Sequence, residues 1–502
     1  MSALSGISVV DLSETVAGEY CAKLLADFGA EVIKIEAPLT GSPTRHMAPI
    51  KPLPDGSSCS ALFAWLNTNK RSLCLDLPHE HDLTTLHNLI AEADVVIDDH
   101  NMAWLASRHL APQDFERLFP ATTLCSITPH GLDAPQELWH AANLNVFHDS
   151  GWGYHTPTAA NPSQPPLKGP GRFLVDYEAG TDAASAILSS LYWRQHSGYG
   201  QIIDVAKRNV LISRADLVLG RILAGEDPAT TSRTAYDQAG PAAVFPCADG
   251  AVYLYITNQK HWRGLRELMD NPDWMADYDD DWLEFGVTPA LVRRFQDGFR
   301  VWVADKTRVE ISNAGQRLGV PLVPVNTAAD IHHSPQFRFR QFFRCHRHPT
   351  LGDLALPSAP FRMSATQPCP LGPAPDLGSE TNAAFLTQRQ HFPSVHKGQE
   401  RSSRGPLAGL RVVEITKVWA GPYAGKMLAF LGAEVIKVES HTNLDELRAF
   451  GGVDIDQAPF FLSVNQEVKS VQANMKTPQG IELVRKLIAN CDILINNLRP
   501  GA

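Results

Sequence analysis

Asp176 is the carboxylate in this sequence that is best placed to do chemistry. It precedes a long helical pattern of alanine and aliphatic residues that ends at the turn 198–200. A helix dipole favours the ionised form of an acid near the helix N-terminus, and an ionised carboxylate can act as a nucleophile. Asp is also a common N-cap residue, so the spacing alone allows either a nucleophile or a helix cap.

A second polar group combines two cations with an amide. Asn69, Lys70 and Arg71 follow an aromatic helix end and precede a predicted strand. Adjacent cations and amides can hold a phosphate group. An isolated Lys-Arg pair is also typical of a solvated turn, so these residues are candidate phosphate contacts only if neighbouring elements bring a phosphate to them.

The sequence predicts no metal site and no disulfide framework. Its eight cysteines are scattered, without the paired spacing that is typical of zinc ligation. The stretch 345–348 alternates Cys and His with Arg, but no further cluster of ligands accompanies it. Free thiols fit a reducing cytoplasm.

Alternating strand and helix patterns predict the elements that position these residues. A strand over 7–12, a helix from Gly18 and a strand over 31–36 form one βαβ unit, and a second round follows over 73–97. Repeated βα units predict a Rossmann-like, doubly wound parallel sheet, an α/β fold. Glu36 would suit a dinucleotide site, but the G-x-G-x-x-G pattern is missing around Gly18, which argues against an NAD enzyme.

The start of the chain is written a second time near its end. Residues 4–36 and 407–439 align without a gap and are identical at 17 of 33 positions. A repeat separated by hundreds of residues indicates a duplicated domain and not a solenoid. The second copy stops at Ala502, soon after a strand-like run, so we expect only the first part of a domain there and an incomplete product.

Composition changes along the chain predict five segments. We expect a first large domain at 1–225, a smaller α+β domain at 226–330, a return to the large domain at 331–387, a polar linker at 388–406 and a partial repeat of the large domain at 407–502.

Charge and hydropathy exclude several classes of protein. The 502 residues carry a net charge of -10 and are 44% hydrophobic, which is typical of a globular protein and gives no reason to expect nucleic acid as a partner. The sequence has no basic, apolar leader and no run of about 18 apolar residues, so we expect a cytoplasmic protein without membrane spans.

Taken in order, these pieces resemble the class III CoA-transferases, which include formyl-CoA, carnitine-CoA and bile-acid-CoA transferases and the related α-methylacyl-CoA racemases. The resemblance covers nearly the whole chain, and its motifs are specific only together. They lie at 9–12, 17–18, 29–36, 69–72, 75–77, 176–180, 198–201, 244–250, 319–325 and 359–362.

The resemblance implies a covalent mechanism with Asp176 as the nucleophile. Its carboxylate would attack the thioester of an acyl-CoA, form a mixed anhydride and then an aspartyl-CoA thioester, from which a carboxylic acid takes the CoA. CoA would be a substrate, and no permanently bound cofactor is implied. By position, Thr15 and Val16 would contact CoA, and Asn69, Lys70 and Arg71 would lie near its phosphates.

The family also implies an assembly, because its members form interlocked homodimers with the active site between two subunits. We therefore expect a homodimer or an intrachain pseudo-dimer of the two copies. The expected partners are an acyl-CoA and a carboxylic acid.

Departures from the family pattern leave two other functions open. The stretch 141–145 lacks the His-Asp pair of the racemases, and 234–240 has one glycine where the formyl-CoA enzymes have a glycine-rich loop. The family's N-x-x-P-G-A element is replaced in the first copy, at 98–103, and intact in the second, at 497–502. The second copy in turn lacks the basic segment of the first, since 465–469 stands where Asn69, Lys70 and Arg71 would be. The acids Asp98 and Asp99 would repel CoA phosphates, so the alternatives are an impaired CoA-binding or assembly protein and an acyl-CoA racemase or isomerase.

Overall fold

A computed structural model describes most of the chain as two compact units. The first unit contains the described residues of 1–156, 166–231 and 344–502, and the second contains those of 232–343. The described residues are 2–54, 56–155, 171–214, 223, 241–381, 383–386, 404–449 and 454–499. The glycine-poor stretch 234–240, the end 500–502 and residues 388–403 of the predicted linker lie outside them.

Six parallel strands form the main sheet of the first unit. Their order is β5-β2-β1-β6-β7-β8, with Val10 of β1 paired to Ile33 of β2 and Val96 of β6. The central strands β1, β6 and β7 are buried on both faces, and the runs of Val and Ile in β1 and β6 suit such a position. The predicted parallel α/β sheet is confirmed. The strands of residues 1–206 are β1 Ser8–Asp11, β2 Glu31–Glu36, β3 Ile50–Pro52, β4 Ser58–Ser60, β5 Lys70–Cys74, β6 Val95–Asp98, β7 Thr123–Thr128 and β8 Ile202–Ala206.

Helices connect these strands and cover the sheet. Three elements begin earlier than the sequence pattern predicts: α1 begins at Val16 instead of Gly18, β5 at Lys70 instead of Leu73, and α8 at Leu174 instead of after Asp176. The helices are α1 Val16–Asp27, α2 Ala61–Leu66, α3 Glu80–Glu92, α4 Met102–Ala106, α5 Pro112–Leu118, α6 Asn143–Asp149, α7 Trp152–His155, α8 Leu174–Ser197 and α9 Lys207–Ile212.

The second unit is built on an antiparallel sheet of three strands in the order β11-β10-β9. Its core is rich in aromatic side chains, with Trp262, Trp282 and Phe295 fully buried against one another. Its elements are β9 Ala243–Cys247, β10 Gly250–Leu254, α10 Gln259–Leu268, α11 Trp282–Phe285, α12 Pro289–Val303, α13 Arg308–Arg317, β11 Leu322–Pro324, α14 Ala328–His333 and α15 Pro335–Phe339.

The remainder of the chain adds a hairpin and a second parallel sheet to the first unit. That sheet has the order β16-β15-β14-β17, and Val413 of β14 is paired with Ile436 of β15 and Leu494 of β17. Its elements and the hairpin are β12 Phe343–His348, β13 Gly352–Pro357, β14 Arg411–Ile415, α16 Ala420–Phe430, β15 Glu434–Glu439, α17 Pro459–Val464, β16 Lys469–Gln472, α18 Pro478–Ala489 and β17 Ile493–Asn496.

The described residues contain neither a membrane-spanning helix nor a cluster of metal ligands. None of their helices is both long and apolar enough to cross a membrane. Among the same residues, no group of three or more His, Cys, Asp and Glu side chains is arranged to hold a metal ion.

A glycine allows α1 and α8 to approach closely. A Cβ atom added to Gly180 would lie 2.7 Å from the backbone oxygen of Ala17 and 3.1 Å from the ring of Tyr20. Backbone atoms cannot rotate away from such a contact as a flexible side chain can. Because Gly180 lies one turn after Asp176, this close approach also fixes where the start of α8 stands.

We expect Gly180→Ala to lower the free energy of unfolding by about 1–3 kcal/mol, because the added methyl group separates the two helices. The measurement is urea unfolding followed by circular dichroism. Thr181→Ala, an exposed change at the next position of the same helix, is the control and should have little effect. Equal stability of both variants would show that the helices have room for a methyl group.

Candidate active site

Three helix starts meet around Asp176. Asp176 lies in the first turn of α8, Lys207 is the first residue of α9 after strand β8, and Asn143 is the first residue of α6. Apolar side chains of the three helices pack together, which holds these starts in place. They form the cluster Val146, Phe147, Val175 and Leu211.

Both oxygens of the Asp176 carboxylate have a partner. Lys207 Nζ donates to Oδ1 at 2.8 Å, and Asn143 Nδ2 donates to Oδ2 at 2.6 Å. Asp176 and Lys207 are only 3% and 6% exposed, so each compensates the charge of the other inside the protein. Phe173 and not Asp176 precedes the helix, so the simple N-cap interpretation of Asp176 is wrong.

The residue after Asp176 packs among aromatic rings. Tyr177 makes edge contacts with Tyr20 and Trp65, with ring centroids 4.9 Å and 5.8 Å away. Burial raises the pKa of Tyr177 to about 12, and the charge of Asp176 acts in the same direction.

The N-terminus of α1, where CoA contacts were predicted, holds a carboxylate of the protein itself. Asp99 Oδ2 accepts hydrogen bonds from the backbone N of Thr15 at 2.8 Å and from its Oγ1 at 2.6 Å, and Oδ1 accepts one from Glu14 N at 2.9 Å. Val16 begins the helix and is buried. Burial raises the pKa of Asp99, although these hydrogen bonds oppose that effect.

The neighbouring acid is paired with a histidine. His100 Nδ1 lies 2.7 Å from Asp98 Oδ1, and its ring stacks on Trp104 with centroids 3.7 Å apart. Burial lowers the pKa of His100, but its bonds to Asp98 and Glu14 outweigh this and raise the pKa to about 10. His100 therefore pairs with Asp98 directly, and its charge also stabilises Asp99, which in addition accepts hydrogen bonds at the helix N-terminus.

Lys70 is directed into the interior. Its Nζ donates to Asp11 Oδ2 at 2.8 Å, to Asn67 Oδ1 at 2.9 Å and to the backbone oxygen of Glu19 at 2.9 Å. The Lys70 side chain is fully buried, and Lys34 lies beside it with its Nζ 2.9 Å from Glu19 Oε1. In this arrangement Lys70 holds the sheet together, and its predicted role at CoA phosphates stays a prediction.

Asn69 and Arg71 also make contacts within the fold. Asn69 Nδ2 donates to Asp27 Oδ1 at 3.0 Å. Arg71 forms ion pairs with Glu31 and Glu380 and keeps 18% of its side chain exposed. Of the predicted basic segment, Arg71 is therefore the cation with access to solvent, and the predicted solvated turn is in fact the beginning of strand β5.

Lys207 and Asn143 are the partners of Asp176 that sequence reasoning missed. Lys207 directly follows a strand of a parallel sheet, and ligands of such sheets bind at the carboxyl ends of the strands. That position was the available signal for Lys207. Asn143 offers no comparable signal, because only the packing of α6 against α8 brings it to Asp176.

A model of CoA-transferase family III matches residues 4–381 and 407–502. The chain belongs to this family. The predicted resemblance to class III CoA-transferases is thereby confirmed, and with it, at the level of the family, the prediction of an enzyme that transfers CoA between an acyl-CoA and a carboxylic acid.

Named relatives and a solved structure agree with the family. A Mycobacterium tuberculosis protein named a probable CoA-transferase is 27% identical over 98% of this chain, which spans only 61% of that relative's length. The Haloarcula hispanica succinyl-CoA:mesaconate CoA-transferase is 27% identical over 77% of this chain and 96% of its own. The mouse succinyl-CoA:glutarate CoA-transferase is 26% identical over 76% of this chain and 85% of its own.

The crystal structure of a CAIB/BAIF family protein from Brucella suis is similar with a TM-score of 0.63 at 25% identity. The likeness covers 75% of this chain and 97% of that protein.

We expect Lys70→Met to reduce the free energy of unfolding by about 3 kcal/mol or more, because Asp11 would keep its buried charge with one cation fewer. Denaturant unfolding of the full chain measures this loss. Lys469→Met, which removes a lysine that is 69% exposed on β16, is the control and should change stability little. If Lys70→Met instead weakened CoA binding without a loss of stability, Lys70 would be a ligand contact.

Proposed function

We propose that this chain transfers CoA from an acyl-CoA to a carboxylic acid with Asp176 as the covalent nucleophile. The observation that supports this most directly is the buried carboxylate at the start of α8, held by Lys207 and Asn143, in a chain of CoA-transferase family III. The named relatives suggest succinyl-CoA as the first donor to test and dicarboxylic or related acids as acceptors.

The proposed reaction has two matched halves. An oxygen of Asp176 attacks the thioester carbonyl, the C–S bond breaks, and a mixed anhydride and CoA thiolate form. The thiolate then attacks the Asp176 carbonyl carbon of the anhydride, which releases the donor acid and leaves an aspartyl-CoA thioester. The acceptor carboxylate repeats the sequence in reverse and leaves as its CoA thioester, which restores the carboxylate.

The pairing of Asp176 supports such a role because its charge moves during the first step. When the carboxylate becomes acylated, it loses its negative charge, and that charge appears on the leaving sulfur. Lys207 is the cation in contact with the carboxylate, so it is positioned to stabilise the thiolate as that transfer occurs. Asn143 fixes the second oxygen and so orients the carboxylate group.

We assign CoA contacts to Thr15 and Val16 at the start of α1 and to Asn69, Lys70 and Arg71, as the family implies. Binding at α1 requires that the phosphate share the helix N-terminus with Asp99 or displace it. Arg71 is the most accessible cation of the set.

We also propose the division into five segments that the sequence predicts. The last of them, 407–502, is a partial second copy of the large domain. Its strand order β16-β15-β14-β17 parallels β5-β2-β1-β6, which supports this assignment. An intrachain pseudo-dimer is supported by contacts between the copies: Lys426 Nζ donates to the backbone oxygen of Ser213 at 3.2 Å, and the Arg214 guanidinium lies 5.2 Å from the Tyr423 ring centroid.

We expect Asp176→Asn to abolish CoA transfer from succinyl-CoA, because an amide cannot form the anhydride. Turnover is measured by liquid chromatography of the CoA esters over a panel of acceptor acids. Asp182→Asn, in the same helix and paired with Arg214, is the matched control and should retain activity.

An isotope experiment follows the proposed covalent step itself. With acceptor acid labelled by ¹⁸O, one label should enter Asp176 during turnover, which mass spectrometry of the digested chain detects. Turnover by Asp176→Asn, or transfer without label in Asp176, would place the nucleophile elsewhere.

The position of Asp99 favours a second candidate function, a CoA-binding or assembly protein with weakened catalysis. An ionised Asp99 repels a phosphate at the same helix N-terminus, which costs about 1 kcal/mol or a factor of roughly five in affinity. The candidate differs from the first in that CoA binds but Asp176 is not acylated.

We expect Asp99→Asn to tighten CoA binding about fivefold at neutral pH, because the amide keeps an acceptor at the helix and removes the charge. Burial raises the pKa of Asp99, so the advantage should shrink as the pH falls through that raised pKa and Asp99 becomes neutral. Titration calorimetry with CoA measures both effects, with exposed Glu92→Gln as the control. Weaker binding by Asp99→Asn would show that Asp99 supports the ligand.

A further inference from the structure

The second parallel sheet contains a buried carboxylate that is poorly compensated. Glu414 on β14 is fully buried, and neither Oε1 nor Oε2 accepts a well-formed hydrogen bond from the residues that the structure describes, although the side chains of Lys437 and Thr416 lie near enough to lower its pKa. Its nearest cation, Lys437 Nζ, lies 3.5 Å from Oε1 and donates to the backbone oxygen of Thr416. A Cβ on Gly425 would be 2.1 Å from Oε2, so that glycine makes room for the carboxylate.

The same place in the first sheet is occupied by a neutralised acid. In the gap-free alignment Glu414 corresponds to Asp11, and Ile436 to Ile33. Ile33 is paired with Arg71 on β5, and Ile436 with Lys469 on β16. The residue before each partner is Lys70 in the first sheet and Val468 in the second. The cation that binds Asp11 is therefore replaced by an apolar side chain.

The surrounding backbone confirms this correspondence. Asn67 and Asn465 each directly follow a six-residue helix, α2 and α17, and each donates its Nδ2 to a Phe carbonyl four residues earlier. Asn69 and Glu467, two residues further on, share a left-handed φ of 63° and 61°. In the first sheet Asn67 Oδ1 accepts from Lys70 at 2.9 Å, whereas the buried Oδ1 of Asn465 has no hydrogen-bond partner among the described residues.

The other charges of the first sheet are retained by different residues. Lys437 corresponds to Lys34, which binds Glu19 in the first sheet at 2.9 Å. Pro422 stands where Glu19 would be, but Asp445, at the position of Ser42, lies 3.1 Å from Lys437 Nζ and supplies the acid.

The balance of buried charge differs between the two sheets. In the first, Lys34 and Lys70 face Asp11 and Glu19. In the second, Lys437 is the one cation among the described residues that pairs with Glu414 and Asp445, which leaves one negative charge in excess. Consistent with this, burial raises the pKa of Glu414 to about 6, although Lys437 and the Thr416 hydroxyl act in the opposite direction.

We propose that the second sheet binds a potassium ion at the position equivalent to the ammonium group of Lys70. The ligands would be the carboxylate of Glu414, Oδ1 of Asn465 and the backbone oxygen of Pro422, which correspond to the three oxygens that Lys70 Nζ contacts. One excess charge matches a monovalent ion, and a ring of oxygens that accepts an ammonium group also suits potassium. Mg²⁺ is disfavoured, because it demands octahedral geometry and retains several waters.

The test measures the stability of the full chain in KCl and in tetramethylammonium chloride at equal ionic strength and pH 8. We expect the Tm of the wild type to rise by about 2–4 °C for each tenfold increase in K⁺ above its Kd, with no such rise in tetramethylammonium. Glu414→Gln, which removes the excess charge, and Val468→Lys, which supplies the missing ammonium, should both lose the K⁺ dependence. Glu482→Gln, an exposed acid on α18, is the control and should keep it.

Three results would overturn the proposal. The wild type could have the same Tm in both salts, Glu414→Gln could keep the full K⁺ response, or crystals soaked in Tl⁺ could lack anomalous density beside Glu414. A Tm that depends on pH between 5 and 8 but not on K⁺ would show that Glu414 is neutralised by a proton instead. Should Val468→Lys fail to fold, the isosteric Glu414→Gln decides the question, and none of these measurements requires transferase activity.

Discussion

Buried carboxylates in this protein must be compensated where they lie, and this constraint organises the first sheet. Asp11 on β1, Glu19 on α1 and Lys70 on β5 belong to three elements, and hydrogen bonds through Lys70 connect all three. Lys34 adds a second cation from β2. Removing one member of such a network leaves an isolated charge at low dielectric, which costs far more than an exposed pair contributes. The network therefore fixes the position of α1, against which α8 packs through Gly180.

The same constraint produces the candidate active site. A carboxylate at the start of α8 could not stay buried alone, and Lys207 and Asn143 satisfy its two oxygens. That pairing stabilises the carboxylate before reaction and leaves a cation beside it when the proposed acylation removes its charge. A structural need and a catalytic use thus coincide in one ion pair.

The sequence predicted the parallel sheet well, because period and length of the apolar runs are local properties. It predicted Asp176 because the long helix after it is also visible locally. It did not assign Lys70 to the interior, since a Lys-Arg pair in the sequence does not show that β5 begins at Lys70 and lies beside Asp11, 59 residues earlier. Lys207 and Asn143 were missed for a related reason: they lie 31 and 33 residues from Asp176 and meet it only through packing. The predicted roles in CoA binding await experiment.

Comparison of the two parallel sheets shows which buried charges are retained at the same sequence position and which are retained only in space. Glu36 and Glu439 each bind an arginine nine residues later, Arg45 and Arg448, so this pair is retained residue by residue. The acid that faces the buried lysine is retained only in space, because it has moved from α1 to the loop that carries Asp445. A position-by-position alignment shows this change as two unrelated substitutions, Pro422 for Glu19 and Asp445 for Ser42, although the number of buried acids beside the lysine is unchanged. The loss of the second lysine has no such replacement among the described residues, and for this reason Val468, rather than the more visible change at Pro422, marks the point where the two sheets differ in physical chemistry.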